Sequence, residues 1–216
     1  MPEPDKAAAE ELIAAAQALD ALGFMPSKSG NLSLRTAAGC LITPAALPYA
    51  ALTPADLVEI DLTGAVLRGH RRPSSEWRLH TAVYAARPEA GAVVHTHSPF
   101  ATALSCARQG LPAFHYMIAL GGGADIRCSA YATFGTAALA EACLDSLRDR
   151  RATLLANHGV VALGRSLAGA RTLAMEVENL ARQYLALRAA GLTPVLLTAA
   201  ELREVFAQFG DYGRLT

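Results

Sequence analysis

The stretch Ala92-Val93-Val94-His95-Thr96-His97-Ser98-Pro99 carries the strongest structural signal in the 216-residue chain. Its first three residues are an apolar run of the kind that forms a buried strand. Ser98-Pro99 then closes the strand and opens a helix, because serine caps free N–H groups and proline suits the first helical position. Two histidines stand between them. Side chains two apart on a strand share a face with origins about 7 Å apart, so both imidazoles can reach one ion. A solvated strand can carry such a pair by chance. Here it follows an apolar run and sits at a strand end, which favours a metal over a surface or core histidine.

Working outward, the same punctuation repeats. Upstream, Leu32 to Leu34 and Cys40 to Ile42 are short strands around a turn at Ala38-Gly39, and Val58 to Ile60 and Val66-Leu67 bracket the hairpin signal Asp61-Leu62-Thr63-Gly64. A helix is predicted over 5–22, with Leu12, Ala15, Ala16 and Leu19 on one face. Another is predicted from Ser74-Ser75, as caps, to about Ala86. Downstream, Leu111-Pro112 to Leu120 reads as strand and loop ending at Gly121-Gly122-Gly123. Thr136 to Arg148 reads as helix, and Thr153-Leu154-Leu155 and Val160-Val161-Ala162 as strands either side of Asn157-His158-Gly159. The clearest helix spans Leu167 to Ala189, where Leu173, Val177, Leu180, Tyr184 and Leu187 recur at the helical period over Glu176, Glu178, Arg182 and Arg188. A last helix covers Ala199 to Phe209. Strands in hairpins with helices between and after them predict an α/β chain, its mixed sheet largely antiparallel and flanked by helices, in one domain over 1–216.

Composition narrows the function. The chain is 52% hydrophobic and 18% charged, a globular balance, and its 19 basic and 19 acidic residues cancel. A neutral chain has no electrostatic footprint for nucleic acid or an anionic membrane. The Ala-rich stretch near the start carries Glu10, Glu11, Gln17 and Asp20, which excludes a membrane span there. Met1-Pro2-Glu3-Pro4-Asp5-Lys6 lacks the features of a secretory signal. Cys40, Cys106, Cys128 and Cys143 form no C-x-x-C pair and read as small buried hydrophobes in a reducing compartment. The expected location is the cytoplasm.

Other residues carry two readings each. His158 also closes an apolar strand, beside a glycine that admits close approach, and a third neutral imidazole would complete an open catalytic site. Spacing alone does not bring it to the pair. Glu76, in Pro73-Ser74-Ser75-Glu76-Trp77, is either a first-turn acid favoured by the helix dipole or a carboxylate that ligates the ion or takes a proton. Ser74 and Ser75 are caps or anion contacts, Gly30-Asn31 a turn or a phosphate contact, and Lys28 a solvated cation or a phosphate charge.

Taken in order, Ser29-Gly30-Asn31-Leu32-Ser33, Leu41-Ile42-Thr43-Pro44, Pro73 to Arg78, His95-Thr96-His97, His115 to Ala119, Tyr131 to Gly135, Asn157-His158-Gly159 and Tyr212-Gly213 resemble the class II aldolase/adducin family, in its L-fuculose-1-phosphate aldolase branch. The resemblance implies a three-layer α/β/α fold with a central, mainly antiparallel sheet, and a homotetramer with active sites between subunits. It implies that His95, His97 and His158 hold zinc and that Glu76 joins them in the free enzyme and moves off as a base. It implies that Asn31, Ser74 and Ser75 contact phosphate, that Tyr116 is lent by a neighbouring subunit to protonate the aldehyde oxygen, that Tyr212 closes over the site and that Phe134 lines the aldehyde end. The activity implied is reversible cleavage of a ketose 1-phosphate, similar to L-fuculose 1-phosphate, to dihydroxyacetone phosphate and a short aldehyde such as lactaldehyde. A sugar-phosphate 4-epimerase, a decarboxylase and a non-catalytic adducin-like binding module are the alternatives. Three imidazoles also suit manganese, cobalt or iron. The family's Thr-Gly after Leu-Ile-Thr-Pro is replaced by Ala45-Ala46, which removes a hydroxyl donor. Only two lysines occur, Lys6 and Lys28, and neither is placed for a Schiff base.

Overall fold

The structure, a computed structural model, describes residues 6–212, with side chains described through Phe209. Eight strands form one sheet: β1 (Asn31–Arg35), β2 (Gly39–Ile42), β3 (Val58–Asp61), β4 (Val66–Arg68), β5 (Ala92–Thr96), β6 (Arg127–Cys128), β7 (Ala152–Leu155) and β8 (Gly159–Gly164). Their spatial order is β4-β3-β2-β1-β5-β8-β7-β6. Every pairing is antiparallel except β6 with β7. The helices are α1 (Lys6–Ala21), α2 (Trp77–Ala86), α3 (Pro99–Cys106), α4 (Ala137–Ser146), α5 (Leu167–Ala189) and α6 (Ala199–Tyr212).

Side-chain alternation along the strands divides the apolar residues into two cores. Leu32, Val94, Leu154 and Val160 point one way, against Leu12 and Leu19 of α1, Leu104 of α3, and Leu173, Val177 and Leu180 of α5. Cys40, Val93, Leu155 and Val161 point the other way, against Leu79 and Val83 of α2 and Leu139 and Cys143 of α4. Helices on both faces of a mixed sheet give the three-layer α/β/α architecture. Each fully buried leucine or valine contributes about 1.5–3 kcal/mol relative to exposure, so the periodic face of α5 anchors its layer.

Local chemistry sets the element ends. Asp61 Oδ1 accepts from the Thr63 N–H, the Thr63 hydroxyl and the Ala65 N–H, which closes the β3–β4 hairpin. At its tip Gly64 has φ 90°, and a Cβ there would overlap the Trp77 ring at 2.2 Å. The hairpin thus packs on the first residue of α2. Thr136 and Ser166 cap α4 and α5 by accepting from Leu139 N and Gly169 N.

Several expectations are corrected. The segment 111–120 forms one bridge, Leu111 with Ile126, and then a 3₁₀ turn over Tyr116–Gly121 that His115 caps by accepting from Met117 N. Helix α2 starts at Trp77, with Glu76 at the cap position; Ser74 Oγ accepts from the Glu76 N–H at 3.3 Å, just ahead of the helix. Ser98 does not cap α3; Glu178 does, its two oxygens accepting from Phe100 N and Ala101 N. Glu178 is therefore buried, although the sequence groups it with the charged residues opposite the apolar face of α5. Of the four cysteines only Cys40 and Cys143 are buried; Cys128 is half-buried and Cys106 exposed. No described helix is long and apolar enough to cross a membrane.

Candidate metal centre

Each histidine reaches the site by a different local rule. His95 is the fourth residue of β5, paired across the ladder with Asn31 on β1 and Val161 on β8. His97 follows the end of β5, and its N–H donates to the Phe24 carbonyl at 2.9 Å. His158 sits in the turn joining β7 to β8, where Asn157 takes the left-handed conformation (φ 55°). Asn157 is held there by its N–H on the Ser105 carbonyl and its amide on the Cys106 carbonyl, and Arg108 Nε donates to its Oδ1. Because β8 lies beside β5, that turn delivers His158 to the pair. Gly159 permits the approach: a Cβ there would lie 2.4 Å from the Thr96 carbonyl oxygen.

The three imidazoles form a triangle with ring centroids 4.8, 4.9 and 4.9 Å apart. Glu76 enters from the start of α2. Its Oε2 lies 2.9 Å from His95 Nε2, and its Oε1 lies 3.3 Å from His158 Nε2. Donor atoms of all four residues lie within 4.8 Å of one another. Donors about 2 Å from one ion are at most ~4 Å apart, so small side-chain rotations close the cluster around a centre.

The donor chemistry fits a cation. His95 Nδ1 lies 2.8 Å from the Val160 carbonyl, which can only accept, so Nδ1 carries the proton and neutral His95 presents a bare Nε2. That nitrogen faces Glu76 Oε2 and His97 Nε2, the latter at 3.0 Å. Glu76 Oε1 is buried with no hydrogen-bond partner. Converging lone pairs and an orphaned carboxylate oxygen call for a proton or a divalent ion.

In the chain alone, a single proton answers. Burial opposes charge on His95, but the Glu76 carboxylate outweighs it and raises the imidazole pKa. Burial pushes His97 down to about 3 and His158 to about 4, with the His95 charge adding to both. Burial works to raise Glu76, yet the His95 charge and hydrogen bond, with His158 and Asn31, hold it below the usual carboxylate range.

A cavity of about 430 Å³ opens on this cluster, and Glu76, His97 and His158 form part of its wall. Lys28, Gly30, Asn31, Ser74, Ser75 and Phe134 line it, as do Ala45, Ala46, Tyr131 and Asn157. Lys28 is the one fixed cation among its described lining residues. Gly30 is required where it stands, since its φ is 92° and a Cβ would lie 2.8 Å from the His95 carbonyl oxygen. Ala46, at φ 62°, occupies a conformation that favours glycine. Tyr116 does not line the cavity; it is half exposed and stacks on His115 at 4.8 Å. The Tyr212 side chain lies outside the described residues, as does Gly213. The polar residues behind Glu76, namely Ser33, His80 and Tyr84, went unread in the sequence, although Glu76, His80 and Tyr84 recur every fourth position and so share a helix face.

A three-layer α/β/α fold with a His₃–Glu cluster at the end of its central strands defines the class of protein as that of the class II aldolases. Residues 10–185 match the family model described as Class II Aldolase and Adducin N-terminal domain. A 5-methylthioribulose-1-phosphate/5-deoxyribulose-1-phosphate aldolase of Rhodospirillum rubrum is 51% identical over 203 residues, covering 94% of this chain and 90% of that protein. An L-fuculose phosphate aldolase of Escherichia coli K12 is 43% identical over 205 residues, covering 95% of each. A solved L-fuculose 1-phosphate aldolase superposes with a TM-score of 0.92 at 36% identity, covering 96% of this chain and 98% of that one. The chain belongs to the class II aldolase/adducin family, and it is an enzyme of the class II aldolase type.

Proposed function

We propose that this chain, acting as one domain in a cytoplasmic homotetramer, is a zinc-dependent aldolase that reversibly cleaves a ketose 1-phosphate to dihydroxyacetone phosphate and a short aldehyde. The observation that carries the reading is the His95–His97–His158–Glu76 cluster, whose Glu76, His97 and His158 line a cavity that also holds Lys28, Ser74 and Ser75. His95, His97, His158 and Glu76 would hold a divalent ion, which would supply a Lewis acid for negative charge developing on the substrate.

The residues divide the remaining work. Ser74, Ser75 and Asn31 offer hydrogen-bond donors to the phosphate, and Lys28 offers the charge that offsets the missing hydroxyl at Ala45-Ala46. In the condensation direction Glu76 removes the proton from the carbon beside the ketone of dihydroxyacetone phosphate. Tyr116 of a neighbouring subunit gives its proton to the aldehyde oxygen as the carbon–carbon bond forms. Cleavage reverses each transfer: Tyr116 takes the hydroxyl proton, the bond breaks, and Glu76 returns a proton to carbon. Burial works to raise the Glu76 carboxyl and a neighbouring positive charge, on His95 or on a bound ion, holds it down, so Glu76 would serve as the base only once it has moved off the ion. Tyr212 closes over the site.

Phe134 and Tyr131 present exposed rings at the cavity, which suit an aldehyde ending in an apolar group. The Rhodospirillum rubrum relative, named for a 5-methylthio and a 5-deoxy sugar, supports that end of the substrate. Product analysis tests the proposal with 5-deoxyribulose 1-phosphate, 5-methylthioribulose 1-phosphate and L-fuculose 1-phosphate. Dihydroxyacetone phosphate and a separate aldehyde in equal amounts are expected from at least one of them. A product that keeps its carbon chain whole would mean an epimerase, and binding without turnover a non-catalytic module; each would overturn the aldolase reading.

A further inference from the structure

Behind Glu76 a row of polar side chains crosses from the metal centre into the layer between β1 and α2. Asn31 and Ser33 are two apart on β1 and share its α2-facing side. Glu76, His80 and Tyr84 are four apart along the start and body of α2. The two periodicities interlock. Asn31 Nδ2 is 3.0 Å from Glu76 Oε2, and His80 Nε2 is 2.5 Å from Asn31 Oδ1. Ser33 Oγ is 2.6 Å from His80 Nδ1 and 2.8 Å from the Tyr84 hydroxyl. Ser33 and His80 have no exposed surface, Tyr84 is 1% exposed, and Asn31 and Glu76 are 5% exposed. Solvent therefore does not share the hydrogen bonds of Ser33 and His80.

Donor and acceptor rules fix the direction of every bond. The ionised carboxylate only accepts, so the Asn31 amide nitrogen donates to it. The amide oxygen then faces His80 and only accepts, so His80 Nε2 carries the proton. Nδ1 is left bare and must accept from the Ser33 hydroxyl. The Ser33 oxygen in turn accepts from Tyr84. Reversing any one member places two acceptors or two donors face to face in a buried site, at a cost of about 1–3 kcal/mol. The order is therefore Tyr84 to Ser33 to His80 to Asn31 to Glu76.

We propose that His80 is a positioning residue: as the neutral Nε2–H tautomer, set by Ser33, it fixes the Asn31 amide so that one Glu76 oxygen is held and the other stays free at the metal centre. Oε2 is the held oxygen, and Oε1 is the buried atom without a hydrogen-bond partner. Burial keeps His80 neutral, with a pKa pushed down to about 3, so the donor survives across the working pH range. The relay also ties the base to the cavity wall, because Asn31 lines it and its amide nitrogen carries a second hydrogen.

The kinetic consequence rests on the proposed aldol reaction, whereas the tautomer does not, so the two are tested separately. Nitrogen-15 spectra of the metal-free, histidine-labelled protein are expected to show His80 with a protonated Nε2 and a bare Nδ1, unchanged from pH 5 to 8. A protonated Nδ1, or an imidazole titrating near neutrality, would overturn the relay whatever reaction the site performs. In turnover assays H80L is expected to lower kcat by about 10- to 100-fold, the effect of losing an outer-shell partner, with KM within about threefold. H80Q, whose amide can still donate to Asn31, is expected to recover most of that loss. S33A, which leaves His80 in place, is expected to lower kcat about fivefold, the factor of one neutral hydrogen bond. Unchanged kcat in H80L would sink the proposal. So would H80Q falling as far as H80L with kcat and melting temperature dropping together, since that is the signature of a purely structural residue.

Discussion

Replacing Gly159 with alanine tests how the centre is assembled without touching a ligand. The added Cβ would sit 2.4 Å from the Thr96 carbonyl oxygen and 3.3 Å from His95 Cε1 and His97 Cδ2. A carbon–oxygen contact closes at about 3.3 Å, so β8 and β5 must part by roughly 0.9 Å at the point where the histidines meet. The Thr96 carbonyl is backbone at the end of the Ala92–Thr96 ladder with β8 and cannot swing aside as a side chain would. Overpacking of this kind costs about 1–3 kcal/mol. A loss of ~2 kcal/mol in a chain of this length lowers Tm by about 4–8 °C. The strain also separates His158 from the pair, so the affinity for zinc is expected to fall at least ~10-fold. Thermal unfolding of the metal-stripped protein reads the first quantity, and competition with a chromophoric chelator reads the second. A variant that melts within about 1 °C of the parent and binds zinc equally would show that the β5–β8 contact does not set the site.

Other perturbations follow from the same geometry. E76Q keeps the shape but not the base, and kcat is expected to drop by about 10²–10⁴-fold in zinc-loaded protein measured by product release. K28A removes the cavity's fixed cation, so KM for a phosphorylated substrate should rise about 10-fold while kcat stays within about threefold, in steady-state kinetics. His80, buried and with its pKa depressed to about 3, forgoes a proton that the unfolded chain binds below pH 6.5. Its contribution is full above pH 6.5 and is lost as pH falls toward 3, by about 2 kcal/mol between pH 8 and 5. Denaturant unfolding across that range should show a shallower pH dependence in H80Q than in the parent.

What the sequence revealed depended on how locally each signal was written. The His95-Thr96-His97 pair is legible because strand geometry alone puts both imidazoles on one side. His158 is not, since its meeting with the pair depends on β8 lying beside β5, which is a fact of strand order. Asn31 read as a turn or phosphate contact; its pairing with His95 across β1 and β5 makes it a neighbour of Glu76 as well. Ser98 carried the right signal for a cap, but Glu178, 80 positions later, does the capping. No serine-based rule anticipates a carboxylate arriving from another helix. The two-residue β6 pairs in parallel with β7 and is too short to show periodicity. His80 and Tyr84 looked like ordinary members of a helix, and only the Asn31 and Ser33 side chains opposite them turn that stripe into a relay.

Metal titration tests the centre most directly. Chelator-stripped protein is titrated with zinc by calorimetry, alongside H97A and H158A, with unfolding followed in parallel. One ion per chain is expected, with binding that stabilises the parent and is lost or weakened by orders of magnitude in both variants. Absence of uptake by the parent, or uptake that survives both substitutions, would contradict a metal centre built from His95, His97, His158 and Glu76.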